Sequence, residues 1–232
     1  SAIAAVLLNY AENMNYKPGT IDKFILADID ENSTKKLYQR LNKLKNELGV
    51  PIEIRQPINL EIKKAEEEVE IIDKLPEVPD YNKAKKVILN FLDDERNNIL
   101  IITGPANVVT HAFVDAIFER DKKKRVWLHT LSFIDPPGPF DYFYKTLGKL
   151  LQLPGDIIML VHSGLIGWIK AWMGNEAWST LKKRIALTLG MTEDAVENNV
   201  KKEDNAKKND LEHFKKLYLY QIEQLIKETA IA

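Results

Sequence analysis

No cysteine occurs among the 232 residues. That excludes a disulfide scaffold and fits a reducing, cytoplasmic compartment. Charge of one sign is lacking as well: 33 Lys and Arg stand against 34 Asp and Glu, a net charge of -1. Bulk charge therefore gives no argument for a nucleic-acid partner. No apolar run reaches the ~20 residues that a membrane helix needs. The nearest approach, Ile157 to Trp172, is interrupted by His162, Ser163, Gly164, Gly167 and Lys170 and reads as a buried core helix, so no membrane association is expected. The chain does not open on a charged-then-apolar leader. Internal repeats, a familiar catalytic triad and side chains at metal-ligand spacing are also missing, so neither a metal nor a cofactor is expected.

What is present reads as a globular α/β protein, 45% hydrophobic and 29% charged. Ala2 to Asn13 carries Ile3, Val6, Leu7 and Tyr10 at helical spacing and ends at Pro18-Gly19. Phe24 to Ala27 is a short apolar strand, followed by the polar loop Asp28-Ile29-Asp30-Glu31-Asn32-Ser33. Asn32 or Ser33 can cap the next helix, whose Leu37, Leu41, Leu44 and Leu48 recur at steps of four and three before Gly49. Ile52-Glu53-Ile54 then reads as a strand, making residues 21 to 56 a βαβ unit. Glu61 to Asp80 is a solvated connection with Pro76 and Pro79. Tyr81 to Asp94 is a helix, Ile99 to Ile102 a buried strand with a helix after it, and Arg125 to Thr130 a further strand. This alternation predicts a Rossmann-like, mainly parallel sheet with helices on both faces. A doubly wound sheet opens on a strand whereas Ser1 enters a helix, so the expectation is a first strand ahead of Ser1.

The proline-rich segment Asp135 to Asp141 marks a change of composition. Beyond it the patterns are helical, apart from a short strand candidate in Ile157 to Val161. The expected organisation is a Rossmann-like domain over 1–140 and a smaller, helix-turn-helix-like domain over 150–232, the boundary falling between about 136 and 156. Within the second, Leu181 to Val200 has helix-turn-helix spacing: Ala186 at the helix crossing, Gly190 at the turn, Val196 as the apolar plug, and Ile185, Leu189 and Met191 packing around them. Glu193, Asp194 and Glu197 crowd the would-be recognition helix and repel phosphate, leaving Lys201 and Lys202 to attract it. Packing or dimerisation is the favoured role, and DNA stays open as a partner. Lys201 to Lys216 reads as a solvated helical face, and Trp168, Trp172 and Trp178 as core or interface anchors.

The feature with most chemical content is the turn Thr103-Gly104-Pro105-Ala106-Asn107 between a buried strand and a helix. Backbone N–H groups and the helix dipole at such a turn suit a phosphate or ribose. Thr103, Asn107 and Thr110 could donate to it, although Pro105 removes one backbone donor. The competing view is an ordinary strand-to-helix connection. His111, one turn further on, could act as acid, base or ligand contact, or as a structural hydrogen-bonder. Asp28, Asp30 and Glu31 serve a helix start as caps and dipole partners more readily than they hold a metal.

Two segments resemble the CARF family, Rossmann-like sensors of cyclic oligoadenylate in type III CRISPR defence. Phe24 to Leu37 followed by Leu48 to Ile54 is similar to the family's second strand, polar loop, helix and third strand. Ile101 to Ala112 is similar to its strand, Thr-Gly loop and ligand-facing helix. With the helix at Ala2 the resemblance covers about residues 1 to 130, and the C-terminal pattern resembles the winged-helix domain that often follows. It implies a homodimer with a two-fold pocket for cyclic tetra-adenylate. The pocket would be lined by the loop at or before Ser1, the polar loop with Asp28 and Asp30, and Thr103, Gly104, Pro105, Ala106, Asn107 and Thr110. Pro105 and Asn107 replace the second Gly and the Lys common in that loop, which counts against ring cleavage. The alternative is a metal-independent ring nuclease in which Ser1 and His111 place the scissile ribose. Another is a nucleotide-binding or interaction protein outside CRISPR.

Overall fold

The computed structural model describes residues 23–49, 52–62, 69–94, 97–124, 129–136, 138, 140–160, 178–204 and 211–231. Ser1, the helix expected over Ala2 to Asn13, most of the strand expected over Arg125 to Thr130, and Trp168 and Trp172 lie outside them. The chain divides into two compact units, 1–64 with 73–120, and 65–72 with 121–232.

In the first unit β4 (Asn97–Thr103) is the axis of a parallel sheet. Its Ile99, Leu100, Ile101 and Ile102 are all 0% exposed, as a central parallel strand covered on both faces requires. β1 (Phe24–Asp28) pairs along one edge, Phe24 with Ile99 through to Asp28 with Thr103. β2 (Glu53–Ile54) and β3 (Ile58–Asn59) share the other edge. The register shifts between Glu53 and Ile54, and strand pairing then breaks until Ile58 meets Ile102. Pro57 lies in that break and has no N–H to give to the ladder.

The order β1-β4-β2 differs from a simple βαβ unit, in which the two joined strands are neighbours: here β4 lies between them. α1 (Glu31–Leu48) makes this crossover. Its leucine stripe buries Leu41 against Ile52, Ile54, Ile99 and Ile101, with Leu37, Leu44 and Leu48 around it. The helix is capped by Asp30 rather than Asn32 or Ser33. α2 (Pro79–Asp93) leads from β3 back to β4, crossing the sheet in the opposite direction. Right-handed crossovers in opposite directions place their helices on opposite faces, so α2 covers the face of Leu100 and Ile102. α3 (Ala106–Lys124) lies beside α2, joined by Tyr81 to Asp115, Lys85 to Glu119 at 3.1 Å and Arg120 to Asp93 at 3.0 Å.

In the second unit β5 (Thr130–Ile134) and β6 (Gly155–Met159) form a parallel pair, and α4 (Tyr144–Leu150) connects them. β5 thus begins where the expected Arg125 to Thr130 strand ends, and it pairs with β6 rather than with the first sheet. α5 (Trp178–Leu189) and α6 (Glu193–Asp204) follow, then α7 (Leu211–Ile231). Ile185, Ala186, Leu189 and Val196 are buried with Phe140 and Tyr218, and Trp178 packs on that cluster. Gly190 has φ 66, and a Cβ there would lie 2.7 Å from the Tyr144 ring, so this turn takes glycine for both conformation and space. The Met191 N–H donates to Ala186 O at 2.9 Å, closing the helix end. Ala186 and Val196 are thus buried on either side of the turn at Gly190. The strands of this unit among the described residues are parallel, whereas a wing is an antiparallel hairpin.

Burial pushes the Tyr218 hydroxyl up to about 12. Because the folded state holds the proton above the usual tyrosine range, the stabilisation is complete below pH ~10 and lost as pH rises towards 12. The difference in unfolding free energy between the wild type and Tyr218→Phe should be flat below pH ~10 and shrink above it. A difference independent of pH would contradict the burial of that hydroxyl.

Candidate functional site

The carboxyl ends of β1 and β4 lie side by side, Asp28 in register with Thr103. The chain leaving β1 passes to α1 on one face, and the chain leaving β4 passes to α3 on the other. Two adjacent parallel strands whose following helices take opposite faces define a switch point. In open α/β sheets such a point is where the loops diverge and ligands are bound.

The loop after β1 is held by its own acids. Asp28 Oδ1 accepts the Asp30 N–H at 2.9 Å. Asp30 accepts the Asn32 and Ser33 amides at 3.1 Å each and the Ser33 hydroxyl at 2.7 Å. The Ser33 hydroxyl, then the Asn32 amide, hold the Asp30 carboxyl below its usual range. Its contribution is therefore present above the usual carboxylate range and lost as pH falls through the lowered value. Glu31, in the first turn of α1, accepts from Asn59 Nδ2 at 3.2 Å and pairs with Lys35 at 2.8 Å. Lys83 donates to Asn59 O at 2.8 Å. Asn59, Lys35 and Lys83 are thus part of this edge although nothing local in the sequence marks them. Their link is the pairing of Asn59 with Thr103.

The loop after β4 is tightly packed. The Gly104 N–H donates to Asp28 O at 2.9 Å and the Leu60 N–H to Thr103 O at 2.8 Å. A Cβ on Gly104 would lie 2.5 Å from Leu60 Cδ1, so glycine lets β3 and the turn approach. The chain beyond Leu60 is fixed by buried Asp80, whose Oδ2 accepts the Glu61 and Ile62 amides at 2.7 Å each. Gly104, Pro105 and Asn107 are buried, Thr110 and His111 half-buried, and Ala106 is exposed. The His111 Nε2 is shielded from solvent. Ala106, at the first position of α3, is the exposed residue of this turn.

Thr103 is turned inward. Its Oγ1 lies 2.8 Å from Thr34 Oγ1, and both residues are buried. Thr34 gives its own proton to Glu31 O at 3.0 Å, so Thr103 is the donor between the two hydroxyls. The expected site residues Asp28, Asp30, Thr103, Gly104, Pro105, Ala106 and Asn107 are brought together, with Thr110 and His111 one turn along α3. Ser1 lies outside the described residues. Among the described residues no group of three or more His, Asp or Glu is placed to hold a metal, and no helix is long and apolar enough to cross a membrane. In α6, Glu193 and Glu197 are drawn towards Lys182 of α5 at 3.7 and 3.3 Å.

Compared with protein-family models, with curated proteins and with solved structures, the chain matches none of them.

The donor assignment predicts an asymmetry. Thr34→Val leaves the buried Thr103 proton without an acceptor and should cost about 1–3 kcal/mol, whereas Thr103→Val, which leaves the Thr34–Glu31 bond, should cost about 1 kcal/mol or less. Adding Thr103→Val to Thr34→Val should recover part of the loss, read from urea unfolding. A larger cost for Thr103→Val than for Thr34→Val would reverse the assignment, and equal, additive costs would remove it.

Proposed function

We infer that this chain is a ligand-sensing regulator whose first unit, a Rossmann-like domain, binds a cyclic oligoadenylate at the carboxyl edge of β1 and β4. The CARF resemblance supplies the ligand class and specifically cyclic tetra-adenylate. It also supplies the CRISPR setting, the cytoplasmic location and the homodimer with a two-fold pocket. The second unit, helix-turn-helix-like by the resemblance, receives the signal.

The observation that carries the reading is the juxtaposition of Asp28 and Thr103 at a switch point. It supports a nucleotide because the two loops offer complementary chemistry. The start of α3 favours negative charge at exposed Ala106. Asp28, exposed at the end of β1, is an acceptor suited to a ribose hydroxyl or an adenine amino group. A phosphate would sit towards α3 and the sugar towards the acidic loop. Buried Thr103 and Asn107 hold the turn beneath the ligand.

Incubation with labelled cyclic tetra-adenylate in EDTA, reading retention and RNA size together, tests this. Intact, retained ligand is expected; linear products would make the protein a ring nuclease, and no retention would remove the reading. Ala106→Glu separates binding from folding. A carboxylate in the first helical turn should stabilise α3 by about 0.3–1 kcal/mol while repelling phosphate. Retention should fall at least tenfold with no loss of thermal stability. Unchanged affinity in that variant would displace the site from the α3 start.

A further inference from the structure

Between β3 and α2 the chain leaves the first unit and returns to it. Residues 65–72 are part of the second unit, and 73–120 belong to the first again. A solvated connection is the expectation here, yet Val69, Ile72 and Leu75 are 6%, 5% and 3% exposed. Val69 and Ile72 lie in the stretch that folds with the second unit, Leu75 in the stretch that folds with the first. The change of unit falls inside one short helical segment, Ile72–Glu77, whose Lys74 departs from helical backbone at φ -120, ψ 17.

Both ends of this excursion are fastened at the start of α2. On the way out, one oxygen of the buried Asp80 carboxylate accepts the Glu61 and Ile62 amides at 2.7 Å each. Lys83 donates to Asn59 O at 2.8 Å. On the way back, Asn82 Nδ2 donates to Pro76 O at 3.0 Å and to Val78 O at 3.2 Å. Bonds to a charged acceptor, such as those of Asp80, are the stronger kind, and a flexible linker joins two domains without any such pins. The pinned end also meets the sheet edge. Leu60 is 1% exposed, its N–H donates to Thr103 O at 2.8 Å, and a Cβ on Gly104 would lie 2.5 Å from its Cδ1. Packing this close passes a displacement on to its neighbours.

We propose that the pinned loop from Leu60 to Asp80 couples the carboxyl edge of the first sheet to the second unit. The chain passes between the units at 64–65, 72–73 and 120–121. The last crossing lies far along α3, roughly 20 Å from Ala106 at about 1.5 Å per residue, so the loop is the nearer route from the edge. Folding of the second unit holds Val69 and Ile72, and the pins hand that restraint to Leu60 and so to Thr103 and Gly104. Coupling of this kind is reciprocal. Its use in signalling rests on the ligand reading above: a group bound at the edge tightens Leu60 and the Asp80 pin, and the second unit receives the change through Val69 and Ile72.

Amide hydrogen exchange of the ligand-free full chain tests the coupling, so its failure is distinct from a failure of the ligand to bind. Ile185→Val, a mild change at a fully buried position of the second unit, should speed exchange at Val69 to Ile72. Across the pins it should speed Glu61 and Ile62 as well, by about threefold to tenfold, while Ile101 in β4 changes by less than about twofold. Asp80→Asn keeps the acceptor's shape and removes its charge. It should speed Glu61 and Ile62 and carry the effect on to Val69 to Ile72. Unchanged exchange at Glu61 and Ile62 in Ile185→Val overturns the proposal. So does an equal acceleration of Ile101, which marks one cooperative chain with no need of the loop, or an effect of Asp80→Asn confined to Glu61 and Ile62.

Discussion

The burial of four consecutive residues of β4 is the constraint on which the first unit depends. Ile99 and Ile101 point towards the leucine stripe of α1, and Leu100 and Ile102 point the other way, towards α2. Each side chain removed from water on this scale is worth about 1.5–3 kcal/mol. A strand buried on both faces cannot shift register by a residue without exchanging its two faces. β1, β2 and β3 all take their register from it. Thr103 ends β4 opposite Asp28 for that reason, and the polar turn is fixed by the apolar strand before it.

That dependence divides the edge into two kinds of residue. Thr103, Gly104 and Asn107 are buried and committed to packing: the hydroxyl to Thr34, the glycine to the close approach of Leu60. Asp28 and Ala106 are exposed at the mouths of the two loops. Inner residues of this kind set the geometry of an edge, and outer ones meet what arrives there. Asp30 belongs to the first kind by function, since its carboxylate is taken up by the amides of α1 and the Ser33 hydroxyl.

Much of the local structure was legible in the sequence because its signals are local. The Leu37–Leu41–Leu44–Leu48 stripe and Gly49 mark α1, the Ile99–Ile102 run marks β4, and the Ala186, Gly190 and Val196 spacing marks the turn between α5 and α6. What stayed hidden is non-local. No periodicity tells that β4 inserts between the two strands joined by α1, or that Thr34 meets Thr103, 69 residues away. Asn32 and Ser33 are the expected caps of α1, and the helix instead starts one residue after Asp30, whose carboxylate takes the amides of both. β3 is two residues long and follows Pro57, too short to leave a pattern. In β5 the apolar Leu131 and Phe133 face solvent while Ile134 faces the core, so apolar content alone points to the wrong face.

The proposal that the switch point between β1 and β4 is a ligand site is tested most directly by amide hydrogen exchange with and without cyclic tetra-adenylate. Added protection concentrated in Asp28 to Ser33 and in Ala106 to Thr110 is predicted, strongest at the Ala106 amide at the start of α3. Protection elsewhere with these two loops unchanged, or no protection at ligand concentrations far above the protein's, would contradict it.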